Sequence, residues 1–263
     1  MPRTRLFGVL LVAGTAACAK EAQVVNVAGS CGTAFTGQIC TWAHTKGDSL
    51  IDAGATIPLS AIDSAPMPAA NASMDWPPKP DAMLDMPASV VAKTGLTKLT
   101  FYWEPTGHPP MTFMTPHFDF HFYTNAVADI TAITCADSTK PAALPTGYML
   151  PDEDIPPPMV KAMGTSKLIG TCVPMMGMHA MPNGDMSSTS TFRGSMLVGY
   201  YQGKPIFIEP MISRAMLDEK KSFDLAIPDV PGLTSTHPKT FHATFDPATS
   251  SYNFAYSDFV QGK

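Results

Sequence analysis

The chain has 263 residues, of which 45% are apolar and 15% charged, and a formal charge of −5. That is enough apolar material for one sizeable core or two small domains, and too apolar for a disordered polyelectrolyte. Removing Arg3 and Arg5 from the 17 basic residues leaves 15 against 22 acidic ones, about −7, and an acidic chain without basic clusters excludes nucleic-acid binding through the phosphate backbone.

The first 17 residues place Arg3 and Arg5 before an apolar run from Leu6 to Ala13 and the small residues Gly14 to Ala17. This is the order of a secretory signal peptide, and the run is too short to span a bilayer. Thr15-Ala16-Ala17-Cys18 resembles a bacterial lipobox, in which Cys18 would carry the lipid; the usual residue at the place of Thr15 is Leu. The expectation is a cell-envelope protein, periplasmic or extracellular, held to a membrane through a lipid anchor at Cys18, with ordinary cleavage to a soluble form as the alternative.

Cys18 aside, four of the five cysteines remain: Cys31, Cys40, Cys135 and Cys172. An even number fits disulfides in an oxidising compartment. Of the three pairings, Cys31–Cys40 with Cys135–Cys172 is favoured because the first closes a short loop. The close C-x-x-C pairs of a zinc site are missing.

Residues 18–30 read as a tether and 31–263 as a single β-rich domain. Gly32 to Trp42 reads as a strand or hairpin arm, followed by turn residues through Gly54. From Ser60 to Met86 no periodicity is visible, which predicts a long surface loop. Pro87 to Lys93 suits one or two helical turns with proline in the tolerated first position. Thr97 to Trp103 and Pro116 to Thr124 alternate as strands do. Residues 136–165 return to loop chemistry, with a short helix near Met159 to Met163. Ser195 to Tyr201 and Pro205 to Glu209 flank a hairpin turn at Gln202-Gly203-Lys204. Met211 to Lys221 is the best helix candidate, its lysines suiting the C-terminal dipole. Thr240 to Phe245 and Tyr252 to Phe259 form a second hairpin. The 26 prolines cluster, as in Pro77-Pro78-Lys79-Pro80 and Pro156-Pro157-Pro158, and break up helices. The fold class expected is mainly β: an antiparallel β-barrel or β-sandwich with one or two short helices and long Pro-rich loops.

The segment His117-Phe118-Asp119-Phe120-His121-Phe122-Tyr123 carries the most chemistry. On a strand, His117, Asp119 and His121 share one face and the three phenylalanines the other. Residues i and i+2 stand about 6.6 Å apart and i and i+4 about 13 Å. A His-x-Asp pair therefore shares an ion easily, whereas His117 and His121 would meet on one ion only at the limit of their reach. His108, in a turn-rich connection at the pocket rim, joins this set. So do His179, in a loop by its flanking glycine and prolines, and Glu209, at a strand end before Pro210. Imidazoles with carboxylates suit zinc, iron or manganese. Copper is the less favoured ion; it rests on Met175, Met176, Met178 and Met181 around His179 and on Met111 and Met114 before the strand, and methionine is also a routine apolar filler. A hydrogen-bonded polar network and metal-independent acid/base catalysis stay open beside the metal.

Trp103-Glu104-Pro105-Thr106-Gly107-His108-Pro109-Pro110, the His117–Tyr123 string, Met176-Gly177-Met178-His179, Gly199-Tyr200 and Glu209-Pro210-Met211-Ile212 together resemble a family of exported bacterial domains of unknown function with a thermophile prototype. The resemblance covers roughly residues 95–260 and implies a β-rich secreted domain. It supplies no activity. Ala180 stands where an aromatic residue is common and Glu104 where Asn is common, departures that concern pocket shape more than ligand identity.

Three readings follow. The first is an exported, lipid-anchored protein with a His/carboxylate metal pocket formed by His108, His117, Asp119, His121, His179 and Glu209, in which Asp119 or Glu209 acts as base or orienter. The second is a non-catalytic envelope protein binding a small ligand or copper. The third is a structural, self-assembling envelope protein, a homo-oligomer with a buried polar network.

Overall fold

The computed structural model describes residues 22–67, 76–124, 128–187 and 191–262. The signal peptide expected over 1–17 and the lipidation residue Cys18 lie outside the described residues. In chain order the strands are β1 (Val24–Ala34), β2 (Gly37–Lys46), β3 (Ser49–Pro58), β4 (Ala82–Asp85), β5 (Leu96–Glu104), β6 (His117–Thr124) and β7 (Tyr148–Met149). They continue with β8 (Glu153–Asp154), β9 (Lys167–Leu168), β10 (Met178–Pro182), β11 (Gly194–Tyr201), β12 (Lys204–Ser213), β13 (Phe223–Ala226), β14 (Thr240–Asp246) and β15 (Ser251–Ser257).

Two antiparallel sheets dominate, in the orders β1-β2-β3-β15-β14-β13 and β4-β5-β6-β12-β11-β10-β7, with β8-β9 as a separate pair. Among the described residues neither sheet closes into a barrel. One buried cluster takes Ile39, Ala43, Ala55, Phe241 and Phe254 from the first sheet and Leu99, Phe101, Phe118, Phe120, Phe122 and Ile208 from the second. Phe120 meets Phe254 with ring centroids 4.7 Å apart, and Phe122 meets Tyr256 at 4.7 Å. The phenylalanine face of β6 is thus the core face, as the alternation requires. Burial of each such ring stabilises the fold by about 1.5–3 kcal/mol.

Every residue of β6 is buried. Its second face, which carries the histidines, is covered by chain segments on either side of it. Phe113 and Phe192 pack edge-on at 5.0 Å, with His117 against Phe192 at 5.7 Å, and the Tyr123 hydroxyl donates to the Met175 carbonyl at 3.3 Å.

Several local expectations are corrected. Residues 24–30, expected as part of a tether, are strand β1, paired to β2 from Val24↔Lys46 onward. As an edge strand it is largely exposed and needs no apolar alternation, so only its valines Val24, Val25 and Val27 hint at a strand. Of the turn residues expected between Trp42 and Gly54, only 47–48 form a turn; 43–46 belong to β2 and 49–54 to β3. The loop expected over Ser60 to Met86 contains the strand β4.

Instead of one or two short helices, the described residues form five: α1 (Leu59–Asp63), α2 (Ala88–Thr94), α3 (Pro157–Met163), α4 (Asn183–Ser187) and α5 (Arg214–Asp218). All are too brief to leave a helical period. The helix expected over Met211 to Lys221 starts only at Arg214, because Met211 and Ile212 are buried in β12 and Ser213 caps the helix, accepting from the Met216 amide at 3.2 Å. The hairpins at 202–204 and 240–257 form as expected.

Both expected disulfides form, Cys31–Cys40 and Cys135–Cys172. The second spans 37 residues, a loop whose closure stabilises by about 4 kcal/mol on the chain-entropy account. It also fixes Cys172 next to Thr171, whose carbonyl contacts a histidine of the site. No helix among the described residues is long and apolar enough to cross a membrane.

Candidate metal centre

The register of the second sheet assembles the site. Across β6, Tyr102 of β5 stands opposite Asp119, Thr100 opposite His121 and Glu104 opposite His117. On the other side Phe207, Ile208, Met211, Ile212 and Ser213 of β12 pair with Tyr123, Phe122, Asp119, Phe118 and His117, and the pairing skips Glu209 and Pro210. Proline has no amide hydrogen to give to a ladder, and the skipped step lies where Glu209 comes level with His121. His179 is not in a loop, as its neighbours suggested, but on β10, opposite Gly199 of β11.

The six expected ligands come together, but as two groups rather than one. His108, His117 and Asp119 form the first triad and His121, His179 and Glu209 the second; within each, the ligand atoms lie within 4.8 Å of one another. In the first, the two Nε2 atoms are 3.1 Å apart. His117 Nε2 is 3.3 Å from Asp119 Oδ1 and His108 Nε2 is 3.6 Å from Asp119 Oδ2. In the second, His121 Nε2 stands 3.5 Å from His179 Nε2 and 3.5 Å from Glu209 Oε1, and His179 Nε2 is 3.9 Å from Glu209 Oε2. Two ligands held at about 2.1 Å by one tetrahedral or octahedral ion lie about 3.0–3.4 Å apart. The observed separations match that spacing at the short end and exceed it by a few tenths at the long end. His117 and His121 fall in different triads, as their spacing along the strand demands.

His108 is the most exposed of the four rings, its side chain 24% accessible as a rim position implies, yet it also belongs to the first triad. It follows Gly107, whose φ of +68° is a left-handed conformation and whose missing side chain leaves room for the Phe113 carbonyl. This tight turn brings the His108 ring back over β6.

Hydrogen bonds orient three of the four rings. Nδ1 of His108 contacts the Pro109 carbonyl at 2.8 Å, that of His117 the Thr115 carbonyl at 2.7 Å and that of His179 the Thr171 carbonyl at 3.0 Å. A carbonyl only accepts, so each Nδ1 carries the hydrogen, and in the neutral ring Nε2 is left as a bare lone pair. Lone pairs then converge on a carboxylate, an arrangement that repels unless a proton or a metal ion sits among them. Carbonyl-anchored imidazoles are the usual outer support of metal-bound histidine. Asp119 Oδ1, Glu209 Oε2 and His121 Nδ1 are buried without a hydrogen-bond partner, and leaving such groups unpaired costs about 1–3 kcal/mol each.

The electrostatics of the metal-free site differ between triads. Burial lowers the affinity of His108 for a proton, but contact with Asp119 and the charges of Asp119 and Glu104 outweigh it and raise its pKa to about 9. Burial pushes Asp119 up, yet the neighbouring His117 and His108 hold it well below the ordinary carboxylate range. Burial, reinforced by the opposing imidazole of His179, lowers His121 to about 3; burial likewise lowers His179 to about 4. Burial, with the charges of Asp119 and Glu104, raises Glu209 well above its usual value. In metal-free protein the first triad is therefore a His108–Asp119 ion pair and the second is neutral. Histidine-resolved NMR at pH 7 should show His108 protonated and titrating near 9, with His121 and His179 neutral; a neutral His108 would contradict this charge assignment.

Sequence reasoning gave one supporting residue no role beyond pocket shape and missed another. Glu104 lines the cavity beside the first triad, and burial, partly offset by His108, raises its carboxyl to about 7. Its place one strand over from His117, in phase with Tyr102, was the available signal. Phe207 packs against His121 at 4.6 Å and His179 at 5.2 Å. It can do so because Gly199 has no side chain: a Cβ there would lie 2.0 Å from the Phe207 ring. Gly199→Ala should therefore displace Phe207 and weaken metal binding at the second triad by about tenfold or more, the scale of losses in a ligand's supporting shell, while the first triad is unchanged. Competition with a chromophoric chelator measures both sites.

No protein-family profile, no curated protein and no solved structure matches the chain.

Proposed function

We propose that this is an exported metal-binding protein that holds a divalent ion at each of two buried triads, each made of two imidazoles and one carboxylate. The observation that carries the reading is the convergence of carbonyl-anchored imidazole nitrogens on two carboxylates, each of which has a buried oxygen that accepts no hydrogen bond. Nitrogen and oxygen ligands suit zinc, iron or manganese. Three protein ligands per ion leave at least one coordination position free, and bound there, water or oxygen would be polarised by the ion. Asp119 and Glu209 are ligands in this reading, which leaves Glu104 as the other carboxylate on the cavity wall.

Metal analysis of protein purified without a histidine tag tests it. Chelator-stripped protein should take up close to two equivalents of zinc; failure to take up any would overturn the reading. Copper is a second reading, supported by Met176 and Met181, which line the same cavity as His179; preferential uptake of Cu(I) over zinc would establish it. A purely structural polar network is disfavoured by the unpartnered buried oxygens, since such networks are stable only when satisfied.

We further propose export with a lipid anchor at Cys18, in line with two disulfides that persist in oxidising compartments, and kinship with the exported domains that share the His117–Tyr123 string. The two facing open sheets are read as a sandwich.

A further inference from the structure

A second cavity, which shares no residue with the one beside the triads, lies where the loop before β14 meets the C-terminal segment after β15. Its volume is about 490 Å³, inside the range of about 300–1,000 Å³ usual for small-molecule sites. Val230, Leu233 and Val260 supply apolar wall, the first two from the same buried cluster as Cys172 and Tyr200, and Asp229, His237 and Lys239 supply polar wall. The two sides are tied together. His237 and Val260 exchange two backbone hydrogen bonds of 2.9 Å. The Gln261 amide donates to the Thr234 carbonyl at 3.1 Å, and its oxygen accepts from the Thr236 hydroxyl at 3.0 Å. Such a cavity is preformed, so a ligand need not order its walls.

His237 is the decisive side chain, only 8% exposed. Its Nδ1 contacts the Ser235 carbonyl at 3.1 Å. A carbonyl only accepts, so Nδ1 carries the hydrogen and in the neutral ring Nε2 offers a lone pair. Nε2 meets no protein partner among the described residues, and it is not one of the fully enclosed polar atoms, so the cavity is its outlet. We propose that this cavity binds a small neutral molecule with an apolar body and a hydroxyl that donates to His237 Nε2. It is a site independent of the metal reading, since none of its side chains belongs to either triad. The hydroxyl meets an acceptor that the protein leaves unmet, and an unmet acceptor away from water is costly. Neutrality follows from the remaining charges: Lys239 is paired with Asp229, so an anion would face the carboxylate and a cation the ammonium. The three aliphatic side chains suit an apolar body.

The test is an amide NMR titration of the protein at about pH 8, above the ordinary imidazole pKa. The probes are para-methoxyphenol, para-methylanisole, which has a methyl group in place of the hydroxyl, and the anion para-hydroxybenzoate. Para-methoxyphenol should give saturable shifts centred on residues 229–239 and 260–261, and should bind at least about fivefold more tightly than para-methylanisole, the scale of one hydrogen bond to an otherwise unmet acceptor. Para-hydroxybenzoate should bind no more tightly than para-methoxyphenol. His237→Phe, checked as folded by its dispersed amide spectrum, should lose the preference for the phenol and bind the first two probes equally. The absence of saturable shifts, shifts centred elsewhere, equal affinity for the phenol and the anisole, or tighter binding of the anion would each overturn the inference. So would a folded His237→Phe protein that keeps the preference; should that variant not fold, the comparison of probes on the parent chain decides alone.

Discussion

Zinc-loaded His121→Ala protein should hold one metal equivalent where the parent chain holds two, His117→Ala should likewise hold one, and the double variant none. The expectation follows from the partition of the ligands, since the two triads share no residue. Removing an imidazole leaves two protein ligands at the affected ion, and the loss should exceed the 10- to 100-fold typical of supporting residues, about 100-fold or more. The untouched triad keeps its three ligands and its carbonyl contacts. A single six-ligand pocket behaves differently: each variant would then weaken all binding together. Elemental analysis after dialysis against a weak chelator distinguishes the two patterns.

Phe120→Ala should destabilise the fold by about 3–5 kcal/mol, the cost of deleting a buried aromatic ring and leaving a cavity. Phe120 is fully buried between the sheets and meets Phe101 at 5.2 Å, Phe118 at 6.4 Å and Phe254 at 4.7 Å. A loss of that size is a large part of the 5–15 kcal/mol that holds a typical domain. It should appear as a lower denaturant midpoint with an unchanged slope. Because Phe120 faces away from the histidines, the folded variant should still bind two equivalents of zinc. A cost below about 1 kcal/mol would mean that the two sheets do not share a close-packed core.

What could be read from the sequence was whatever left a short-range pattern. β6 was legible because three phenylalanines alternate with polar residues, and β14 and β15 because Phe241, Ala243, Tyr252, Phe254 and Tyr256 do the same. β10 was hidden: it is five residues long, preceded by Gly177 and ending on Pro182, and owes its strand character to pairing with β11 and β7. The same sheet that conceals it carries His179 to the site. β12 was read as ending at Glu209, because the following proline normally ends a strand. Here the missing amide hydrogen falls where pairing with β6 is already skipped, so the strand runs on to Ser213.

The ligand types were legible, since imidazoles and carboxylates at period two on a strand are conspicuous. Their division into two triads was not, because it depends on how far apart β6, β10 and β12 place their side chains. Local spacing still contained half of it, in the poor fit of His117 and His121 to one ion. The roles of Glu104 beside the first triad and of Phe207 beside the second were unread for a related reason: each acts on the site from a neighbouring strand, and cross-strand neighbours are separated along the sequence.

Whether the triads hold metal is decided by an anomalous difference map at the zinc edge, from crystals of zinc-loaded protein. Two peaks are expected, one about 2 Å from the Nε2 atoms of His108 and His117, the other at the same distance from those of His121 and His179, each touching its carboxylate. A map with no peak at either triad, or with zinc only on surface residues, would refute the two metal centres.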